Sequence, residues 1–233
     1  MIITFSLYNS VTIPLGIAFN PVELDSVGCT IFDSFIDLIF FIDIFVNFRT
    51  SYISTQNGEE IYDPKLIAKK YILGGRFIID LLSSIPFDKL AGNNDILPIL
   101  GMLKLFRVAR ISDVIRNLSI KKETKAMLKV LWLVVFLFLY SHVIACLWYY
   151  VVKDAEKWVP NKDFVFGGTY YIWEFYAGDG VRRYLVCFYT AFYLISSGEM
   201  CPRRNIELLL ASTIFFVSSI ILSNLFGTMA VLA

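Results

Sequence analysis

Residues 97–118 read LPILGMLKLFRVARISDVIRNL. Lys104, Arg107, Arg110 and Arg116 recur at every third position or a multiple of three, with apolar residues between them. Asp113 stands where the series would place another cation. A hydrocarbon core about 30 Å thick takes about 20 helical residues to cross, so this stretch is long enough to span a bilayer. Each cation at mid-depth costs about 2.5–3.5 kcal/mol on the insertion scale. Something must offset that cost for an otherwise apolar helix to keep its cations.

The candidate partners are acids in the flanking apolar stretches: Asp33, Asp37 and Asp43 before the charged segment, and Asp80 within RFIIDLLSSIPF (76–87). In a helix Asp33 and Asp37 share a face, and Asp43 lies roughly 120° around from Asp37. A cationic helix beside fixed carboxylates is expected to respond to a transmembrane field, each charge being worth about 2.3 kcal/mol per 100 mV if it crosses fully. Lys104, Arg107, Arg110 and Arg116 are therefore the candidate sensing charges, and Asp37, Asp43 and Asp80 the candidate countercharges. Asp113 reduces the transferable charge. A static ion-pair bundle that only holds four helices together is the other reading.

The rest of the chain fits a membrane setting. Of 233 residues, 57% are hydrophobic and 18% charged, and the mean hydropathy is +0.65; an ordinary soluble domain is about a quarter charged and about 45–50% apolar. Apolar stretches over 1–18, 29–52, 71–86, 96–118, 128–152 and 206–233 predict six transmembrane helices. A seventh apolar piece, 184–195, is too short to cross and reads as a re-entrant half-helix. Arg49, Lys65, Lys69 and Lys70 flank the second connection, and Arg116, Lys121, Lys122, Lys125 and Lys129 the fourth. Both connections are thereby placed on the cytoplasmic side. The fifth is placed outside, and Asn117-Leu118-Ser119 then lies on the cytosolic side, where the sequon is a chance match. The first stretch has no basic leader or cleavage site and reads as a helix lacking its first turns. The last runs without a terminator, so further domains are expected beyond it.

Several chemistries are excluded. The net charge is +1 with no basic block, so nucleic acid is not expected as a partner, whereas membrane lipid is. Four cysteines without CxxC spacing and a single histidine give no zinc site. Cys146 and Cys187 read as small buried hydrophobes, and Cys29 and Cys201 as a pair that could join outside the membrane. There is no phosphate loop, nucleophile triad or HExxH, so no enzyme activity and no cofactor in this chain are expected.

Together with the charged segment, FIDIFVNFRTSYI (41–53), FIIDLLSSIPFD (77–88) and SHVIACLWYYV (141–151) resemble, in order, the transmembrane region of the superfamily of cyclic-nucleotide-gated, hyperpolarisation-activated and ether-à-go-go cation channels. The resemblance implies a homo- or heterotetramer of like subunits with a central pore for permeant cations, in the plasma membrane. It implies a voltage-sensor-like domain over 1–118, a short cytoplasmic linker over 119–127 and a pore domain over 128–233. It also implies a cytoplasmic domain, outside this chain, that binds cAMP or cGMP.

Potassium filters of the superfamily resemble a Gly-aromatic-Gly run whose carbonyls replace the ion's water shell. Here Gly198 is followed by Glu199, Met200, Cys201 and Pro202. The segment Ser196-Ser197-Gly198-Glu199 is instead similar to the Thr-Ile-Gly-Glu pattern of cyclic-nucleotide-gated channels. Four copies of Glu199 would form a carboxylate ring that attracts cations and holds a metal such as Ca2+, with weak discrimination among Na+, K+ and Ca2+. Alternatively, Glu199 pairs with Arg182, Arg203 or Arg204 and only shapes the outer loop. Matching FGTMA (226–230) to the family's cytoplasmic helix end puts Ser219 and Ser223 where bulky gate residues are expected and makes Leu222 and Phe226 the candidate gate. His142 and the aromatics of FYTAFYLI (188–195) are expected to pack. The chain is thus expected to be the pore-forming region of a weakly selective, voltage-influenced channel. A non-conducting accessory subunit and a potassium-selective voltage-gated channel are the alternatives.

Overall fold

The computed structural model describes residues 2–53, 58–85, 100–108, 111–112, 114–115, 118, 120–153, 158, 175–176, 178–196, 198 and 201–232. Arg110, Asp113, Arg116, Asn117, Ser119, Ser197 and Glu199 lie outside the described residues.

The chain forms two compact units. The first comprises residues 1–13 and 22–111. Helix α1 (Ile2–Phe19) ends where Asn20 takes a left-handed φ of 43° and donates its N–H to the Gly16 carbonyl at 3.1 Å, a conformation asparagine tolerates at a helix C-terminus. Ser6 and Ser10 donate their hydroxyls to the carbonyls of Ile2 and Ser6, at 3.0 and 2.6 Å, which keeps polar groups satisfied within an apolar helix. Ser26 opens α2 (Val27–Asn47) by accepting the Cys29 N–H. Ile36, Phe40 and Ile44, at helical four-residue spacing, make its buried stripe.

After α2 the chain turns through a small antiparallel hairpin, β1 (Tyr52–Ile53) against β2 (Glu60–Ile61). This is a correction to the all-α expectation, since the second apolar stretch was read as running to residue 52. Asp63 then caps α3 (Pro64–Leu73) by accepting the Lys65 N–H at 2.9 Å, with Pro64 in the first turn. The expected third span is interrupted: α3 stops at Gly74, Gly75 takes φ 74°, and α4 (Arg76–Ser84) begins. Only glycine adopts that φ readily, so the break is fixed by residue 75. The charged segment continues as a 3-10 helix over Gly101–Val108.

The second unit comprises residues 14–21 and 112–233. Helix α5 (Lys122–Val152) begins inside the segment expected as linker, because Lys122 to Met127 contain no glycine or proline to stop it and Glu123 sits in its first turn. Helix α6 (Gly180–Ile195) is the half-length helix, starting four residues earlier than its apolar stretch, and α7 (Asn205–Leu232) is the last. Ala145 and Cys146 of α5 meet Cys187 and Ala191 of α6 at full burial. Small side chains there let the helices approach closely. Phe19 stacks on Tyr149 with centroids 4.2 Å apart and adds the end of α1 to this core.

Among the described residues, α1, α5 and residues 205–230 of α7 are long and apolar enough to cross a membrane. Helix α2 has the length, 21 residues, but carries Asp33, Asp37 and Asp43. All four cysteines are thiols, so the expected Cys29–Cys201 bond is not formed, whereas Cys146 and Cys187 are buried as expected.

Candidate functional site

In the first unit the 3-10 helix, α2 and α4 bring charge into the interior. A 3-10 helix has 3.0 residues per turn, so residues three apart eclipse on one face. Gly101, Lys104 and Arg107 are buried together, whereas Phe106 is exposed. The three-residue spacing of Lys104 and Arg107 is therefore the period of the backbone that carries them.

Each of the two described cations meets a residue of α2. Lys104 Nζ lies 3.1 Å from Asp37 Oδ2, with side chains 5% and 13% exposed. The Arg107 guanidinium sits 3.8 Å over the centre of the Phe40 ring. Asp37 and Phe40 are three apart on α2, so an acid and an aromatic face on one helix match two cations on the other.

Helix α4 supplies the remaining partners of Arg107. Its Nε donates to Ser83 Oγ at 3.1 Å, and its Nη2 donates to the Ser83 carbonyl and to Ser84 Oγ. Both serines also donate to the Asp80 carbonyl, at 3.1 and 2.7 Å. The buried Asp80 carboxylate accepts the Tyr71 hydroxyl at 2.6 Å. Asp43 accepts Asn47 Nδ2 at 3.1 Å. Of the three expected countercharges, Asp37 thus pairs with Lys104, Asp80 lies beside the serines that hold Arg107, and Asp43 accepts from Asn47 on its own helix.

Phe40, Tyr71, Ser83 and Ser84 were not picked out from the sequence. The spacing of Phe40 from Asp37 was the available signal, since three residues on a helix returns to nearly the same face. Nothing in the pattern LLSS marks the serines as guanidinium acceptors.

In the second unit the expected filter follows α6. Ser196 caps that helix and donates its hydroxyl to the Phe192 carbonyl at 3.1 Å. The Gly198 N–H then reaches back to the Tyr193 carbonyl at 2.7 Å, the six-to-one bond of a Schellman-type closure. A Cβ at residue 198 would collide with the Tyr193 ring and carbonyl. Glycine is required here by this close approach. Ser197 and Glu199, the other expected filter residues, lie outside the described residues.

The outer arginines resolve in part. Arg204 Nε donates to Glu207 Oε1 at 2.5 Å and its Nη2 to the Val151 carbonyl at the end of α5. Glu207, fully buried, also accepts the backbone N–H groups of Arg203 and Arg204 at 2.8 and 3.2 Å. The acid at the third position of α7 thus caps its own helix in the manner of a capping box. Arg204 is committed to this clamp. Arg204 was one of three candidates to pair with Glu199 in the alternative reading of that residue, and Glu207 was not picked out, although its position three residues into a helix was the signal.

His142 packs as expected, its Nδ1 2.8 Å from the Tyr184 hydroxyl. The aromatics of α6 also pack, Phe192 against Phe188 at 5.3 Å and Phe138 at 5.5 Å. Of the expected gate residues, Leu222 packs on the core of its own unit and Phe226 is exposed, as are Ser219 and Ser223.

Comparison with known proteins gives a consistent result. The family described as ion transport protein matches residues 1–232. The chain is 30% identical over 212 residues to the voltage-gated inwardly rectifying potassium channel KCNH7 of Mus musculus, covering 85% of this chain and 18% of that protein. It is 28% identical to the voltage-gated inwardly rectifying potassium channel KCNH6 of Homo sapiens, over 99% of this chain and 26% of that one. With the potassium voltage-gated channel protein eag of Drosophila melanogaster it shares 29% identity, over 97% and 21%. The chain therefore spans about a fifth to a quarter of the length of these relatives.

Proposed function

This chain belongs to the ion transport protein family, and from that premise we propose that it is the transmembrane region of a voltage-gated cation channel, with a six-span subunit assembling as a tetramer. One observation carries the reading: Lys104 and Arg107, three residues apart on a 3-10 helix, occupy an acid and an aromatic face on α2. A translation of about 6 Å along a 3-10 helix, three residues at about 2.0 Å each, replaces one cation by the next in the same site. Each charge carried through the field is worth about 2.3 kcal/mol per 100 mV. Arg110 and Arg116 would follow in the same series, and the first unit would serve as the sensor.

Potassium is the permeant ion supported by the relatives, whose names describe potassium channels. The sequence after α6 favours a second reading, weak selectivity among Na+, K+ and Ca2+, because Glu199-Met200 replaces the aromatic and second glycine. In either case Gly198 and Ser196 belong to the passage, and Phe226, exposed on α7, is the better-placed gate candidate. Modulation by cAMP or cGMP would reside in residues beyond this chain.

Bi-ionic reversal potentials of the protein in a bilayer test both readings. A reversal that follows external potassium alone supports the potassium reading; one that follows sodium as well, with divalent block relieved by Glu199→Gln, supports weak selectivity. Absence of any voltage-dependent cation current overturns the proposal.

A further inference from the structure

Helix α3 carries Lys65, Lys69 and Lys70 and no acid in its ten residues. One face is committed to its own unit. Ile67 and Tyr71 are buried, and the Tyr71 ring packs edge-on against Phe48 and Phe77, with centroids 5.0 and 5.7 Å apart. The opposite face exposes Leu66 and Leu73, seven residues apart and so aligned along the helix. Leu73 is 74% exposed. Lys65 and Lys69 stand on one flank of this leucine line and Lys70 on the other, all three exposed.

A lone exposed leucine means nothing. An apolar line bracketed by lysines on a short helix has the design of an element lying in a membrane interface, with the leucines at the acyl boundary and the ammonium groups at phosphate level. The neighbouring elements put it at that depth. Helix α4 starts three residues after Leu73 and exposes Ile78, Ile79, Leu81 and Leu82, and the arginine and lysine flanks place this connection on the cytoplasmic side, where the leaflet is anionic.

We propose that the Leu66–Leu73 face of α3 binds anionic phospholipid of the cytoplasmic leaflet through Lys65, Lys69 and Lys70. The cytoplasmic placement rests on the channel reading; the binding chemistry does not. Lys70 lies 3.4 Å from the centre of the Tyr52 ring, which orients its charge without removing it. The nearby acids, Asp63 and Glu60, are on the N-terminal side: Asp63 accepts the Lys65 N–H, and Glu60 accepts the hydroxyls of Ser51 and Tyr62. A protein groove reads apolar anchors at i, i+3, i+4 and i+7 of one helix face, and on α3 the two positions between Leu66 and Leu73 on that pattern are Lys69 and Lys70. The surface is also coupled inward, because the Tyr71 hydroxyl holds Asp80.

The test uses the whole chain in proteoliposomes, with Cys29 and Cys201 replaced by serine and a bimane label on Leu73→Cys. Quenching by a headgroup-labelled nitroxide lipid is compared in phosphatidylcholine alone and with phosphatidylglycerol added. The expected result is about a two-fold stronger quenching with phosphatidylglycerol, reversed by high salt, lost in the triple variant Lys65→Gln/Lys69→Gln/Lys70→Gln and kept in the corresponding triple arginine variant. Equal quenching in both lipids overturns the proposal, as does loss in the arginine variant or protection that appears only when a soluble acidic protein is added. None of these readouts requires ion conduction, so failure of the channel reading would be seen separately, in the reversal experiment.

Discussion

Neutralising Asp37 is the most direct test of the charge-bearing site. Its carboxylate lies 3.1 Å from Lys104 Nζ, and both side chains are largely buried. At that distance and an effective dielectric constant near 20, the gross attraction is about 5 kcal/mol. Desolvation offsets part of it, leaving a coupling of about 2–3 kcal/mol, within the range measured for residues in contact. A sensor moving about three elementary charges gains about 7 kcal/mol per 100 mV. Loss of the coupling therefore shifts the midpoint of activation by about 30–45 mV per sensor. The assay is a double-mutant cycle in conductance–voltage curves, with Asp37→Asn, Lys104→Gln and the pair together. Both single variants weaken the conformation in which this contact forms, so both midpoints move in the same direction, and the double variant moves less than their sum. Single shifts of opposite sign, or shifts that simply add, would refute the reasoning.

Other substitutions probe different parts of the molecule. Tyr71→Phe removes the 2.6 Å bond to buried Asp80 and is expected to lower thermal stability by about 1–3 kcal/mol, measured by the melting of the detergent-solubilised protein. Gly198→Ala drives a methyl group into Tyr193; ion current is expected to vanish while size-exclusion chromatography still shows the assembled protein, and the same variant carrying normal current would contradict the close approach. Glu207→Ala strands two backbone N–H groups and frees the half-exposed Arg204 guanidinium, with an expected loss of about 1–3 kcal/mol, read in the same melting assay. In the hairpin, the Ser51 and Tyr62 hydroxyls hold the Glu60 carboxyl below its ordinary value of 4.5. A depressed acid stabilises above its unfolded pKa, so protection of the hairpin amides is expected to be complete above pH 4.5 and to fall as the carboxyl protonates below it, followed by hydrogen exchange.

What the sequence made legible follows from what its patterns encode. The three-residue recurrence of cations pointed to acid partners in the flanking helices, and Asp37 is one, because burying charge is costly enough to require a partner. The same recurrence also specified a 3-10 backbone, since only three residues per turn keeps Lys104 and Arg107 on one buried line with Gly101; an α-helical reading of that spacing hides this. The break of the third apolar stretch was equally available at Gly74-Gly75, yet hydropathy alone reads across a glycine pair. Hydroxyl acceptors leave no such trace. Ser83 and Ser84 look like tolerated small polar residues in an apolar run, and their work for Arg107 emerges only when α4 is packed against the 3-10 helix. Arg107 meets the Ser83 and Ser84 oxygens and the Phe40 ring, so several individually weak contacts share the hold on its charge.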